Sequence, residues 1–131
     1  TLRDDAGRFE IGHQHNDGIY GLGLVAAQNP ALGMDRIENY VLGLAEYFRQ
    51  RVRETEALRL TYDFAPENCS QIISLRLDAA LNVTDATLEA GGVFAKVRPT
   101  ETVGEQEIRV GLHYYNNKED IDRFFDVINR R

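Results

Sequence analysis

Three observations predict an α+β fold: a two-layer domain with a small, mostly antiparallel sheet and helices on one of its faces. Apolar residues recur at helical spacing from Met34 to Val52 and again from Ile121 to Ile128. Between them, several short runs alternate apolar and polar residues, as half-buried strands do. The order is loop, helix, long helix, β, β, α, β, β, α, so helices and strands are mixed rather than strictly alternating. The 131-residue length suits one domain, since single domains run about 100–150 residues at the mode.

The first ten residues are polar and charged around Gly7 and read as a loop or edge strand ending at Phe9. Two glycines then bracket His13, Gln14, His15, Asn16 and Asp17, which predicts an exposed loop from Gly12 to Gly18. Ile19 to Gln28 is small and apolar and reads as a helix, although Gly21 and Gly23 each cost about 1 kcal/mol of propensity. Asn29-Pro30 reads as a break, with Pro30 at the first position of the next helix. The long helix follows: Met34, Ile37, Val41, Leu44, Phe48 and Val52 form one stripe. The Arg49–Arg53 run reads as its solvated face. At 1.5 Å per residue such a helix spans roughly 30 Å, enough to cross a small domain or join two.

Strands are expected over 57–64, 71–77, 93–97 and 107–113. Thr84-Asp85 caps a short helix that ends at Gly91-Gly92. Asn116 with Glu119 reads as a capping box for the last helix, whose apolar side is Ile121, Phe124, Phe125 and Ile128.

Composition excludes several function classes. The net charge of −6, from 15 basic and 21 acidic residues, argues against a nucleic-acid partner. No stretch approaches the roughly 18 apolar residues of a membrane helix, and no signal peptide opens the chain. A single cysteine forms no internal disulfide, which suits a reducing, cytoplasmic setting. The chain begins at Thr1, which predicts a processed start or a part of something longer.

The Gly12–Gly18 loop leaves three readings open. It is a solvated loop, or an anion contact through glycine-flanked amides, or a metal site from His13 and His15 with Asp17; no metal ligand is assigned. Arg109, between Ile108 and Val110, points away from their face of the strand. If that face borders a cleft, its planar fork suits a carboxylate; otherwise it is a surface arginine. Cys69 has no neighbour in the chain that would hold a thiolate. His113, Tyr114 and Tyr115 read as packing. No Walker loop, dinucleotide fingerprint, zinc pattern or nucleophile elbow is present. The two lysines, Lys96 and Lys118, lie in no context that predicts a depressed amine.

Three stretches nevertheless carry a resemblance. Arg8-Phe9-Glu10-Ile11-Gly12-His13-Gln14-His15-Asn16-Asp17-Gly18-Ile19-Tyr20-Gly21-Leu22-Gly23 resembles the segment after the cofactor lysine in class V aminotransferase-like enzymes. These include cysteine desulfurases, selenocysteine lyases and isopenicillin-N-epimerase-like proteins. Gly33-Met34-Asp35-Arg36-Ile37-Glu38 resembles their long interdomain helix, and the stretch from Ile108 to Asp122 resembles their C-terminal strand, turn and helix.

The resemblance implies the small C-terminal domain of a fold-type I enzyme dependent on pyridoxal phosphate (PLP). On that basis residues 1–30 belong with a missing large domain, 31–56 form the interdomain helix, and 57–131 form the small domain. Family members are expected to act as homodimers on an amino acid. Gly12 matches a glycine at the cofactor phosphate of the neighbouring subunit, and His13 stands where the family has a threonine whose hydroxyl reaches that phosphate. Arg109 matches the arginine that binds the substrate α-carboxylate. The cofactor lysine lies upstream in the family, and none of the seven residues before Arg8 is a lysine. The chain alone is therefore expected to be inactive and to contain no catalytic residue. Desulfurases carry a sulfur-accepting cysteine before the carboxylate-binding strand. Residues 98–106 contain none and Cys69 lies too early, so a lyase, epimerase or aminotransferase-like activity fits better. The rival expectation is a stand-alone, non-catalytic interaction or ligand-binding module.

Overall fold

The computed structural model describes residues 3–9, 12 and 15–130. The chain divides into two compact units, Thr1–Arg36 and Ile37–Arg131.

In the first unit, a 3₁₀ turn spans Ala6–Phe9. The Asp5 carboxylate accepts the Gly7 N–H at 2.8 Å, which starts the turn. Helix α1 then spans Asn16–Leu32. It begins inside the expected loop, since the Ile19 N–H already bonds back to the His15 carbonyl at 3.1 Å. It also runs through Pro30, where a break was expected. Proline lacks the N–H of one helical bond, but only two residues of α1 follow it, so little helix is left to disrupt. The break falls instead at Gly33, whose φ of 84° suits glycine alone. Its N–H closes the helix on the carbonyls of Asn29 and Pro30. No residue of α1 is buried, and Ile19, Tyr20, Leu22, Leu24, Val25 and Leu32 are exposed.

Helix α2 spans Met34–Arg53. In the second unit its apolar stripe packs through Val41, Leu44, Phe48 and Val52, with Ala45 beside them. Met34, at the head of the expected stripe, is exposed. The solvated-face reading of Arg49–Arg53 needs correction. Arg49 is 6% exposed and donates to the Ser70 carbonyl, tying α2 to the loop just ahead of Ile72. Arg51 reaches Asp122 of the last helix and lies 4.7 Å from the centre of the Phe125 ring. Arg53, paired with Glu46 and Asp63, remains solvated.

The sheet contains β1 (Leu58–Leu60), β2 (Ile72–Asp78), β3 (Lys96–Pro99) and β4 (Glu105–Gly111), in the order β1-β2-β4-β3. Every neighbouring pair is antiparallel. Alternation sends Leu58, Ile73, Leu75, Leu77 and Ile108 to the core. The opposite face presents Arg59, Ser74, Arg76, Lys96, Arg98, Glu107 and Arg109. Glu105 pairs with Arg59 and, at 3.3 Å, with Arg76 across that face.

Helix α3 (Asp85–Ala90) starts at Thr84, whose side chain and that of Thr87 cap each other's backbone N–H reciprocally. It ends before Gly91, and the left-handed residue is Gly92, with φ 76°. Helix α4 (Lys118–Asn129) is capped by Asn117 and Asp120, one residue later than the sequence pattern suggests. Asn116 instead shapes the turn: its side chain accepts the His113 N–H at 2.9 Å, and its carbonyl accepts the Tyr40 hydroxyl at 2.8 Å. Ile121, Phe124, Phe125, Val127 and Ile128 of α4 complete the core with Val83 and Leu88. In the second unit α2, α3 and α4 thus lie against one face of a four-stranded antiparallel sheet, the α+β two-layer arrangement expected.

Candidate functional site

Arg109 sits in β4 opposite Ser74 of β2 and Lys96 of β3. Its neighbours Ile108 and Val110 face the core side, so its side chain belongs to the open face, where it is exposed. Among the described residues its guanidinium has neither a hydrogen-bond nor an ion-pair partner. The adjacent cation, Lys96, is neutralised by the Asp85 carboxylate at the start of α3. Arg109 therefore presents a complete set of donors on a rigid strand, the arrangement that grips a planar carboxylate bidentately.

Asp85 also accepts the Val97 N–H at 2.8 Å, so it staples α3 to β3. The Lys96 ammonium first, and the Val97 N–H second, hold its carboxyl below the usual carboxylate range. A depressed folded-state value stabilises the fold above the unfolded value, and that contribution fades as pH falls through the folded one. Asp85→Asn is thus expected to flatten the acid limb of stability. Urea midpoints of both proteins, followed from neutral pH to about pH 2, check this; parallel curves would show that the staple carries no linkage.

Gly12 lies in the first unit, with φ 78°, exposed, and with no atom of the described residues beyond its chain neighbours within 4 Å of where a Cβ would be. A glycine backbone of this kind suits close approach by an anion. His13, the other residue expected near a cofactor phosphate, lies outside the described residues. His15 is the N-cap residue of α1 but makes no side-chain capping bond. Its ring lies over Gly18 instead, where an added Cβ would stand 2.4 Å from His15 Cδ2. Among the described residues, no group of three or more His, Cys, Asp or Glu is placed to hold a metal ion, and no helix is long and apolar enough to cross a membrane.

The second unit also contains a cavity of about 280 Å³, lined by the 92–95 loop, the end of β4 and the first turns of α4. Arg109 and Arg123 both contribute to its lining, above Phe48 and Phe124. The sequence singles out Arg109 by strand alternation, whereas Arg123 is one more polar position on an amphipathic helix. The available signal was Gly91-Gly92 followed by apolar Val93-Phe94-Ala95, a pattern that lets a helix approach closely.

Two further candidates resolve simply. The His113 ring stacks on Tyr115 at 4.8 Å and tilts against Tyr114 at 4.4 Å, so these aromatics pack on each other while remaining exposed. Cys69 is half-buried and its thiol points to the Phe64 carbonyl at 3.5 Å.

Comparison with solved structures agrees with this architecture. The chain is similar to Oryza sativa TDC with PLP and tryptamine, and to the same protein with PLP. For each the TM-score is 0.54 and the identity 10%, with 71% of this chain and 22% of the other covered. The likeness shows a shared fold, and the chain spans about a fifth of the length of those structures. No curated protein matches. The sequence model of the aminotransferase class-V family matches residues 1–124. The chain belongs to that family.

Proposed function

We propose that this chain is the C-terminal, small-domain portion of a PLP-dependent class V enzyme acting on an amino acid, and that it supplies the grip on the substrate α-carboxylate. Arg109 carries the reading: an exposed guanidinium on a central strand, with no partner among the described residues, beside a lysine already neutralised by Asp85. Holding the carboxylate there fixes the orientation of the α-carbon bonds, which is the small domain's share of the work.

The residues present fit the cofactor only in part. Gly12 offers a bare backbone to a phosphate group, with His13 beside it in sequence. Of the two lysines, Lys96 is paired with Asp85, and Lys118 is an exposed residue whose ammonium lies 5.0 Å from the centre of the Tyr47 ring; neither is assigned the cofactor linkage. PLP supplies an electron sink for the α-carbon when bound. Its covalent attachment point and most of its pocket are assigned to a large domain preceding this segment. Residues 1–30 would pack with that domain, 31–56 would bridge to it, and 57–131 would form the small domain. The exposed apolar residues of α1 support this, since such surface calls for a cover. The cover is assigned to the large domain and a second subunit of a homodimer. The loop between β3 and β4 contains no cysteine, which favours lyase, epimerase or aminotransferase-like chemistry over sulfur transfer, in a reducing, cytoplasmic setting.

A second reading, a non-catalytic binding module, draws on the closed core of the unit Ile37–Arg131, which needs no further polypeptide to bury it. The full-length parent decides between them. Purified with PLP, it is expected to show the cofactor's near-visible absorbance, bleached by borohydride. A parent that takes up no PLP would leave only the binding module.

A further inference from the structure

We propose that the cavity between the 92–95 loop, the end of β4 and α4 binds a small organic carboxylate with an apolar body, its anionic end held by Arg123. The volume of about 280 Å³ lies at the small end of ligand pockets, which start near roughly 300 Å³.

Two glycines set Arg123 in place. A Cβ on Gly91 would stand 2.2 Å from Val127 Cγ2, so α4 packs directly against a bare Cα. At Gly92 a Cβ would stand 3.5 Å from Arg123 Nη1 and 3.6 Å from its Cδ, so the arginine side chain runs along the Gly92 backbone at the cavity wall. Among the described residues its guanidinium has no hydrogen-bond or ion-pair partner.

The cavity favours an anion through Arg123 alone: Arg109 lines it as part of β4, with its side chain on the open face of the sheet, and the charged groups left are Arg123 and one acid, Asp120. Asp120 is already committed to the helix cap: its Oδ2 accepts the Asn117 N–H at 3.1 Å and the Asn116 side-chain amide at 3.4 Å. A planar carboxylate matches an unpaired guanidinium.

The remaining lining selects an apolar body. Phe48 and Phe124, with ring centres 5.2 Å apart, lie beneath the cavity. Phe94 borders it while 87% exposed. Covering that ring removes apolar area from water, a gain that a phosphate ion or a short carboxylate cannot supply. The proposal needs no cofactor. It shares Arg109 with the PLP reading as a lining residue, but it assigns the anion to Arg123.

The test uses the 131-residue chain, free of PLP, titrated with 3-phenylpropionate by calorimetry while the arginine side-chain Nε–H signals are followed by NMR. One saturable site is expected, with the Arg123 signal moving. 3-Phenylpropylamine, with the same body and the opposite charge, and inorganic phosphate are expected to show none. Arg123→Gln should weaken binding by at least about tenfold, and Arg109→Gln by less than about threefold. Arg123 is exposed, so its variant should unfold at the parent temperature, which separates lost binding from lost fold. Phe94→Ser should also weaken binding. Phosphate or the amine binding as well as the carboxylate, or binding indifferent to Arg123→Gln, overturns the proposal. So does binding abolished by Arg109→Gln alone, which would place the anion on β4. Failure here leaves PLP uptake by the parent unaffected, and a parent without PLP leaves every one of these titrations unchanged.

Discussion

Replacing Phe48 with alanine is expected to lower the stability of the second unit by about 3–5 kcal/mol. Phe48 is 1% exposed, and its ring meets Phe124 and Phe125 at 5.2 and 5.1 Å. It is thus the side chain through which α2 holds α4 over the sheet. Truncation removes the transfer energy of the ring and leaves a void beneath two other rings, which relax only in part. A domain of this size has only about 5–15 kcal/mol of net stability, so the variant should be close to unfolding. At about 4–8 °C per kcal/mol, its thermal midpoint should fall by at least about 12 °C. Phe48→Leu keeps most of the volume and should cost less than half as much. Circular dichroism melts and urea titrations measure both variants. A midpoint within a few degrees of the parent would mean that α4 is held by its polar ties instead, chiefly Arg51 and the Tyr47 hydroxyl on Asp122.

These contacts also show what a sequence makes legible. The α2 stripe and the alternation of β2 and β4 depend on periodicity, and burial follows it at Val41, Phe48, Val52, Ile73, Leu75, Leu77 and Ile108. Boundaries depend on local competition instead. Asn29-Pro30 looks like a stop, yet Gly33, free to adopt a positive φ, is where α1 ends. At α4 two adjacent asparagines could each cap, and the pairing of Asn117 with Asp120 prevails over Asn116 with Glu119. Arg49 was misread because its partner, the Ser70 carbonyl, lies 21 residues away on another element. The same limit governs the candidate site. Arg109 was visible because strand alternation alone separates it from the core. Arg123 was not, because its position depends on how closely α4 approaches Gly91 and Gly92, and no period along the chain encodes that approach.

Arg109→Ala, made in the full-length parent, is expected to raise KM for the amino-acid substrate by roughly thirty- to a hundredfold, the loss of about 2–3 kcal/mol from charge-assisted hydrogen bonds. Cofactor content should be unchanged, because the role assigned to Arg109 is toward the substrate alone. Stability should also hold: the side chain is exposed and its guanidinium has no partner among the described residues, so alanine forfeits no contact seen in the fold. Arg109→Lys separates charge from geometry. Lysine keeps the positive charge but not the planar fork, so it should recover part of the lost affinity and less of the orientation. Its KM should therefore fall between the other two, while kcat remains reduced. Steady-state kinetics with the cofactor measured by absorbance reads all three quantities on one sample. If Arg109→Ala lost PLP and substrate affinity in equal measure, the arginine would be shaping the pocket rather than holding the carboxylate. If neither changed, the open face of the sheet would not face the substrate, and the carboxylate grip would have to come from outside this chain.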